Sequence, residues 1–207
     1  MHTSGSTGRP KGVVVPHRGL TSLAASLTGA GGGGDGAPAR VLQLASPGFD
    51  ASVLELLLAF ATGGTLVLPS AEGPLAGEEL ARVVEEERVT HALIPPTVLA
   101  SVPSGRMPGL TTLFTGGEAC GPELVRLWSP GRTLVNAYGP TETTVVATMS
   151  GRLDPGTADA PRPSASRSPA PPSASSTPGS APSRPASPAS CTWPAPSSPA
   201  ATSGRPP

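Results

Sequence analysis

Short apolar runs alternate with amphipathic stretches along most of the chain. Val41–Leu44 reads as a buried strand. Ser52–Ala61 reads as a leucine-rich helix, with Ser52 and Glu55 at the spacing of a capping box. Thr65–Leu68 is a second strand, stopped by Pro69. Leu75–Arg88 predicts an amphipathic helix, apolar at Leu80, Val83 and Val84 and acidic elsewhere. His91–Ile94 is a strand closed by Pro95 and Pro96, and Leu113–Thr115 is another. A helix over Pro122–Trp128 and strands over Thr133–Asn136 and Thr144–Thr148 complete the set. Strands alternating with helices predict βαβ units: an α/β fold, with a mostly parallel sheet flanked by helices. In such sheets ligands bind beyond the carboxyl ends of the strands. Gly116-Gly117 and Ala137-Tyr138-Gly139 each follow a predicted strand, so both are placed to line a site. Gly31–Gly36 reads as a flexible loop with no chemistry of its own.

The pattern stops at Leu153. Beyond it there is no Leu, Ile, Val, Phe, Tyr or Met, and Pro, Ser and Ala dominate. Such a segment cannot bury enough apolar surface to offset its ordering entropy. The expectation is one globular region over 1–153 and a disordered Pro/Ser/Ala-rich tail over 154–207. Composition narrows the function classes further. Fourteen basic and fourteen acidic residues leave no net charge, so no basic face invites nucleic acid. Cys120 and Cys191 lie far apart and suggest neither a disulfide framework nor a metal site. Nothing reads as a signal peptide, and the longest apolar run, Val53–Ala61, is too short to span a bilayer. A soluble cytoplasmic protein is expected.

Three segments carry chemistry. The first is Thr3-Ser4-Gly5-Ser6-Thr7-Gly8-Arg9-Pro10-Lys11-Gly12. Its glycines let backbone amides close around an anion, and its hydroxyls add donors. Lys11 supplies a compact charge suited to phosphate. It is not a Walker-type P-loop: there is no Gly-Lys-Ser/Thr. The second is Phe49-Asp50-Ala51-Ser52. Taken alone, Asp50 reads as an acid favoured by a helix N-terminus, and only a ligand ammonium would give it another role. The third is Asn136-Ala137-Tyr138-Gly139-Pro140-Thr141-Glu142-Thr143, a strand end that turns and presents a hydroxyl and a carboxylate. Tyr138 offers a flat ring for stacking, and Glu142 an oxygen ligand for a hard cation.

In this order and at these intervals the three segments resemble the core motifs of the adenylate-forming (AMP-binding) superfamily, over roughly residues 1–160. Phe49-Asp50-Ala51-Ser52, with Asn136 and Tyr138, is similar to the amino-acid-activating branch found in nonribosomal peptide synthetases. The resemblance implies part of an N-terminal adenylation domain and a reaction in which ATP activates an amino acid as its adenylate. It implies that Thr3, Ser4, Gly5, Ser6, Thr7, Gly8 and Lys11 form a loop over the β- and γ-phosphates. Thr141 would touch the α-phosphate region, and Glu142 would hold Mg²⁺. Tyr138 would lie against adenine, with Gly117 and Glu118 in the same slot. Asp50 would pair with the substrate ammonium, a burial favourable only because each charge satisfies the other. The pocket positions would fall on Asp50, Ala51, Leu54, Leu93, Phe114, Gly116, Ala137, Val145 and Val146. Apart from Asp50 none is polar, so a hydrophobic amino acid is expected, aliphatic before aromatic. The implied partners are a peptidyl carrier protein bearing phosphopantetheine and other synthetase modules, with no nucleic acid and no membrane. His17 is expected to be core and His91 structural.

The family domain is larger than this chain, and its lid lysine has no counterpart: Lys11 is the only lysine of the 207 residues. The expectation is a truncated domain, inactive alone. Reading the tail one frame over in a GC-rich gene recovers a family-like Gly-Glu-Leu segment, so 154–207 is expected to be out-of-frame translation; a true Pro/Ser-rich linker is the alternative. Two functional alternatives stand beside the main reading. An acyl- or aryl-CoA ligase fragment would have no use for Asp50. A remnant without catalysis would at most bind nucleotide.

Overall fold

Pro and Gly divide the chain into short segments, and parallel pairing assembles them into one sheet. The structure, a computed structural model, describes residues 1–3, 11–32, 37–70, 73–157 and 166–167. All of these lie in one compact unit, Met1–Ser173, and Ala174–Pro207 lies outside the described residues. The elements run β1 (His2–Thr3), β2 (Lys11–Gly12), α1 (Arg18–Leu27), β3 (Arg40–Leu42), α2 (Ala51–Phe60), β4 (Thr65–Val67), α3 (Gly77–Glu86) and β5 (His91–Leu93). They continue with α4 (Pro96–Ser101), β6 (Thr112–Gly116), α5 (Pro122–Trp128), β7 (Thr133–Tyr138), β8 (Thr148–Met149) and β9 (Ser166–Arg167).

β1 and β2 pair antiparallel, His2 with Gly12 and Thr3 with Lys11, so they bracket the anion-loop candidate at both ends. The main sheet has seven strands in the order β4-β3-β5-β6-β7-β8-β9. The first five are mutually parallel, as the βαβ pattern requires, and β8 and β9 add antiparallel at one side. Alternating side chains on the strands feed two cores. Leu42, Leu113 and Leu134 face one cluster with α3, α4 and α5. Val41, Phe114 and Val135 face the other with α1 and α2. Both faces of the sheet are therefore covered, and the open positions are at the strand ends.

Several elements differ from the sequence expectations. α1 and α4 were not expected. Pro96, read as a strand stop, also opens α4, where its fixed φ suits the first helical turn. The Ser52/Glu55 capping box does not form. Ser52 donates to the Phe49 carbonyl at 2.7 Å, and Glu55 turns inward to the chain after β3. The expected strand Thr144–Thr148 shrinks to β8. Thr141–Thr143 is a 3₁₀ turn, and Thr144 and Val145 adopt left-handed φ of 64° and 69°. The tail expected to be disordered contributes Ser166–Arg167 to the sheet, paired with β8. Of the Gly31–Gly36 loop, Gly31 and Gly32 end a π-turn after α1, and the rest lies outside the described residues.

Close backbone approach fixes two glycines. A Cβ on Gly116 would sit 2.3 Å from the Ala137 carbonyl oxygen, and one on Gly64 would sit 2.3 Å from that of Ala39. Neither carbonyl can move without breaking strand pairing. Gly116→Ala is expected to cost about 1–3 kcal/mol in urea unfolding. Gly109→Ala, with nothing within 4 Å, is expected to stay within about 0.5 kcal/mol of wild type.

Candidate active site

All five parallel strands point their carboxyl ends at one cavity of about 380 Å³. The chain after β3 supplies Leu44 and Ala45, then Asp50 and Ala51 at the start of α2, with Leu54 one turn on. The connection after β4 adds Pro74 and Leu75; β5 adds Leu93, then Pro95 and Val98. β6 ends in Gly116 and Gly117, and β7 in Ala137 and Gly139, with Val145 and Val146 closing the rim. Gly117 has φ of 81°, a conformation that favours glycine, and leaves the strand end open toward the cavity. Asp50 is the one charged residue in this lining.

Asp50 and Thr141 meet although 91 residues apart: the Thr141 hydroxyl donates to Asp50 Oδ2 at 2.5 Å. Thr141 is buried and Asp50 half-buried. A threonine has a single O–H, so while it serves Asp50 it serves no other acceptor. Glu142, next in the turn, is exposed. Val145 is β-branched and holds a left-handed φ, a strained combination at the cavity rim. α1 supports this turn from below: a Cβ on Gly19 would lie 2.6 Å from Thr144 Oγ1.

Eight of the nine expected pocket positions line the cavity: Asp50, Ala51, Leu54, Leu93, Gly116, Ala137, Val145 and Val146. Phe114 does not. It shares a strand face with Gly116 but lies one step deeper, fully buried in the core that includes Leu54 and Val135. Of the expected nucleotide positions, Gly117 lines the cavity and Tyr138 presents a ring that is 66% exposed just beyond it. Glu118 is otherwise engaged: its carboxylate accepts the Thr97 amide at 3.2 Å and the Thr97 hydroxyl at 3.0 Å, capping α4. Lys11 is exposed on β2 and Thr3 lies in β1. Ser4, Gly5, Ser6, Thr7 and Gly8 lie outside the described residues. His91 is buried beside the Thr90 hydroxyl, in keeping with a structural role, whereas His17 is exposed at the start of α1 and not in the core.

The sequence reading missed Leu44, Ala45, Pro74, Leu75, Pro95 and Val98. Leu44, Ala45 and Pro95 stand just past a strand's carboxyl end, and that placement was the available signal for them. It also missed Glu55. This side chain is fully buried, with Oε1 accepting the Leu44 and Ala45 amides at 3.0 Å each and Oε2 without a partner among the described residues. Burial lifts its carboxyl from the ordinary 4.5 to about 7, against the opposing pull of the two amides.

The arrangement fits a nucleotide in one respect and bounds metal chemistry in another. An open glycine-lined strand end beside an exposed aromatic ring suits a flat base. Among the described residues no cluster of three or more His, Cys, Asp or Glu could hold a metal. Glu142 alone fits only a cation that arrives with phosphate oxygens as its other ligands. No helix among the described residues is long and apolar enough to cross a membrane.

Fold and site thus define an α/β protein whose parallel strands direct their carboxyl ends at one cavity. The sequence matches the AMP-binding enzyme family over residues 1–174, and the chain belongs to that family. It is 57% identical over 158 residues to a probable non-canonical nonribosomal peptide synthetase (CymA) of Salinispora arenicola; the match covers 76% of this chain and 2% of that protein. A solved NRPS protein containing adenylation and PCP domains superposes with a TM-score of 0.61 at 32% identity, covering 74% of this chain and 31% of the other. The Vibrio cholerae adenylation domain AlmE, solved with glycyl-adenosine-5'-phosphate, gives 0.62 at 25% identity, covering 80% and 31%. The chain is similar to adenylation domains of nonribosomal peptide synthetases and spans less than a third of these proteins' lengths.

The raised Glu55 carboxyl has a thermodynamic consequence. The folded state holds this proton more tightly than the unfolded chain does. The stability it contributes is complete below pH 4.5 and is lost as pH rises through about 7. The loss is on the order of 3 kcal/mol. Urea unfolding at pH 5 and pH 8 measures it: wild type should lose more between the two than Glu55→Gln, by that order.

Proposed function

We propose that the cavity binds an aliphatic amino acid, and that the assembled enzyme activates it with ATP as an aminoacyl adenylate for nonribosomal peptide synthesis. The observation that carries this is a lone carboxylate, Asp50, in an otherwise apolar lining. A half-buried carboxylate over an apolar chamber suits a ligand with an ammonium at one end and hydrocarbon at the other. A polar side chain would be desolvated there without partners.

In this reading the ammonium seats on Asp50 and competes with the Thr141 hydroxyl for Oδ2. The hydroxyl so released has an acceptor to find, and in this reading that acceptor is the α-phosphate of ATP. The substrate carboxylate oxygen attacks the α-phosphorus, the bond to the bridging oxygen breaks, and pyrophosphate leaves with its electron pair. Catalysis then rests on positioning and charge neutralisation, with Tyr138 against the base; Glu142 would hold a Mg²⁺ ion, which would neutralise phosphate charge. Transfer of the acyl group to a phosphopantetheine thiol on a carrier protein follows. The AlmE complex and the PCP-linked structure are the relatives that support these two steps. Lys11 is the only lysine of the 207 residues. Binding is therefore the readout for this chain, and we expect no turnover from it alone.

The test is calorimetric binding of L-leucine against 4-methylpentanoate, the same carbon chain without the amino group. L-leucine should bind at least about tenfold more tightly, and Asp50→Asn should remove about 1–3 kcal/mol from leucine while leaving the acid little changed. Equal binding of the two would favour a CoA-ligase type of substrate, and no binding of either would leave a nucleotide-binding remnant.

A further inference from the structure

β3 stops pairing one residue before the cavity begins. Its last ladder bond is Gln43 N–H to the Val67 carbonyl. The next two amides, Leu44 and Ala45, have no strand to pair with, yet their residues form cavity wall. Both are taken by one atom, Glu55 Oε1. Glu55 stands on α2, the helix that also carries Ala51 and Leu54 in the lining and begins at Asp50. One side chain thus links two stretches of wall.

The link is an expensive one. Glutamate is almost never fully buried unless it is paired. Here one oxygen has no partner among the described residues, and burial holds the carboxyl far above its ordinary range. An apolar residue of the same size would remove that cost but leave the Leu44 and Ala45 amides without an acceptor, so the carboxyl answers a demand of this stretch of cavity wall.

We propose that Glu55 is a positioning residue of the substrate cavity: Oε1 fixes the Leu44–Ala45 wall relative to α2, and so sets the cavity's fit to its ligand. It touches no ligand itself; Glu55 is absent from the lining. The role needs an acceptor at Oε1 and no charge. Glutamine can supply it, methionine of similar volume cannot, and aspartate falls one methylene short.

The test has two arms on the full chain. The first is amide hydrogen exchange at Leu44 and Ala45, read by NMR. Wild type and Glu55→Gln should protect both amides. Glu55→Met should speed their exchange at least about tenfold while Leu113 and Val135 in the central strands keep their protection. Should Glu55→Met fail to fold, Glu55→Asp carries the same expectation. Unchanged exchange at Leu44 and Ala45, or an equal acceleration at all four amides, overturns the proposal.

The second arm rests on the reading of the cavity as an amino-acid pocket. It uses the sulfamoyl analogue of leucyl adenylate as probe. Glu55→Met should weaken its binding by at least about tenfold, and Glu55→Gln should stay within about threefold of wild type. Equal binding by Glu55→Met, or an equal loss in Glu55→Gln, overturns the positioning role. A wild type that does not bind the probe overturns the amino-acid reading instead, and the exchange arm then decides the role of Glu55.

Discussion

The pairing of β6 with β7 is the constraint on which the site depends. Five residue pairs run in register from Thr112 and Thr133 to Gly116 and Ala137. At the last pair the strands come so close that only glycine fits beneath the Ala137 carbonyl. This holds the two strand ends side by side and in step. Gly117 follows Gly116 directly, Gly139 lies two residues past Ala137, and both line the cavity. Parallel pairing repeats the arrangement at β5, β3 and β4, so all five carboxyl ends meet at one place. The cavity is a consequence of the topology, and its chemistry is set by what the turns add.

The turns add little that is polar, and what they add is connected. Asp50 is held by Thr141, 91 residues further along the chain. Glu55 holds the chain that leads to Asp50. Val145 is kept at an unfavourable backbone angle at the rim, with α1 packed tightly under its neighbour Thr144. Each arrangement costs the fold something: a buried carboxyl, a strained residue, a polar pair beside an apolar chamber. Such costs gather at functional sites, and here they surround a single cavity. The opposite end of the sheet carries left-handed residues of its own, Arg88 before β5 and Met107 before β6.

The fold was legible because Pro and Gly punctuate it so clearly. Pro69 ends the region of β4, Pro95 follows β5, and Gly116-Gly117 ends β6. α1 went unread although Leu20, Leu23 and Leu27 recur at helical spacing and the last two are buried. The β-branched run Thr143–Val146 misled: it favours a strand, but the turn around Gly139 leaves no partner there and forces left-handed backbone. Most of the pocket could be read, because residues that share a strand face or a helix turn share a fate on folding. Phe114 shows the limit of that rule, since face alone does not give depth. Glu55 shows another: its spacing from Ser52 fits a cap, and only the tertiary structure brings Leu44 and Ala45 within its reach.

The central claim is that Asp50 receives an ammonium while the apolar lining receives the side chain beside it. A crystal structure of the chain with the sulfamoyl analogue of leucyl adenylate tests this most directly. The account predicts the analogue's ammonium at hydrogen-bond distance from the Asp50 carboxylate, about 2.7–3.1 Å, and its isobutyl group against Leu93 and Val145. An analogue that binds with its ammonium in solvent, or with the adenine ring filling the chamber over Leu54, would contradict it.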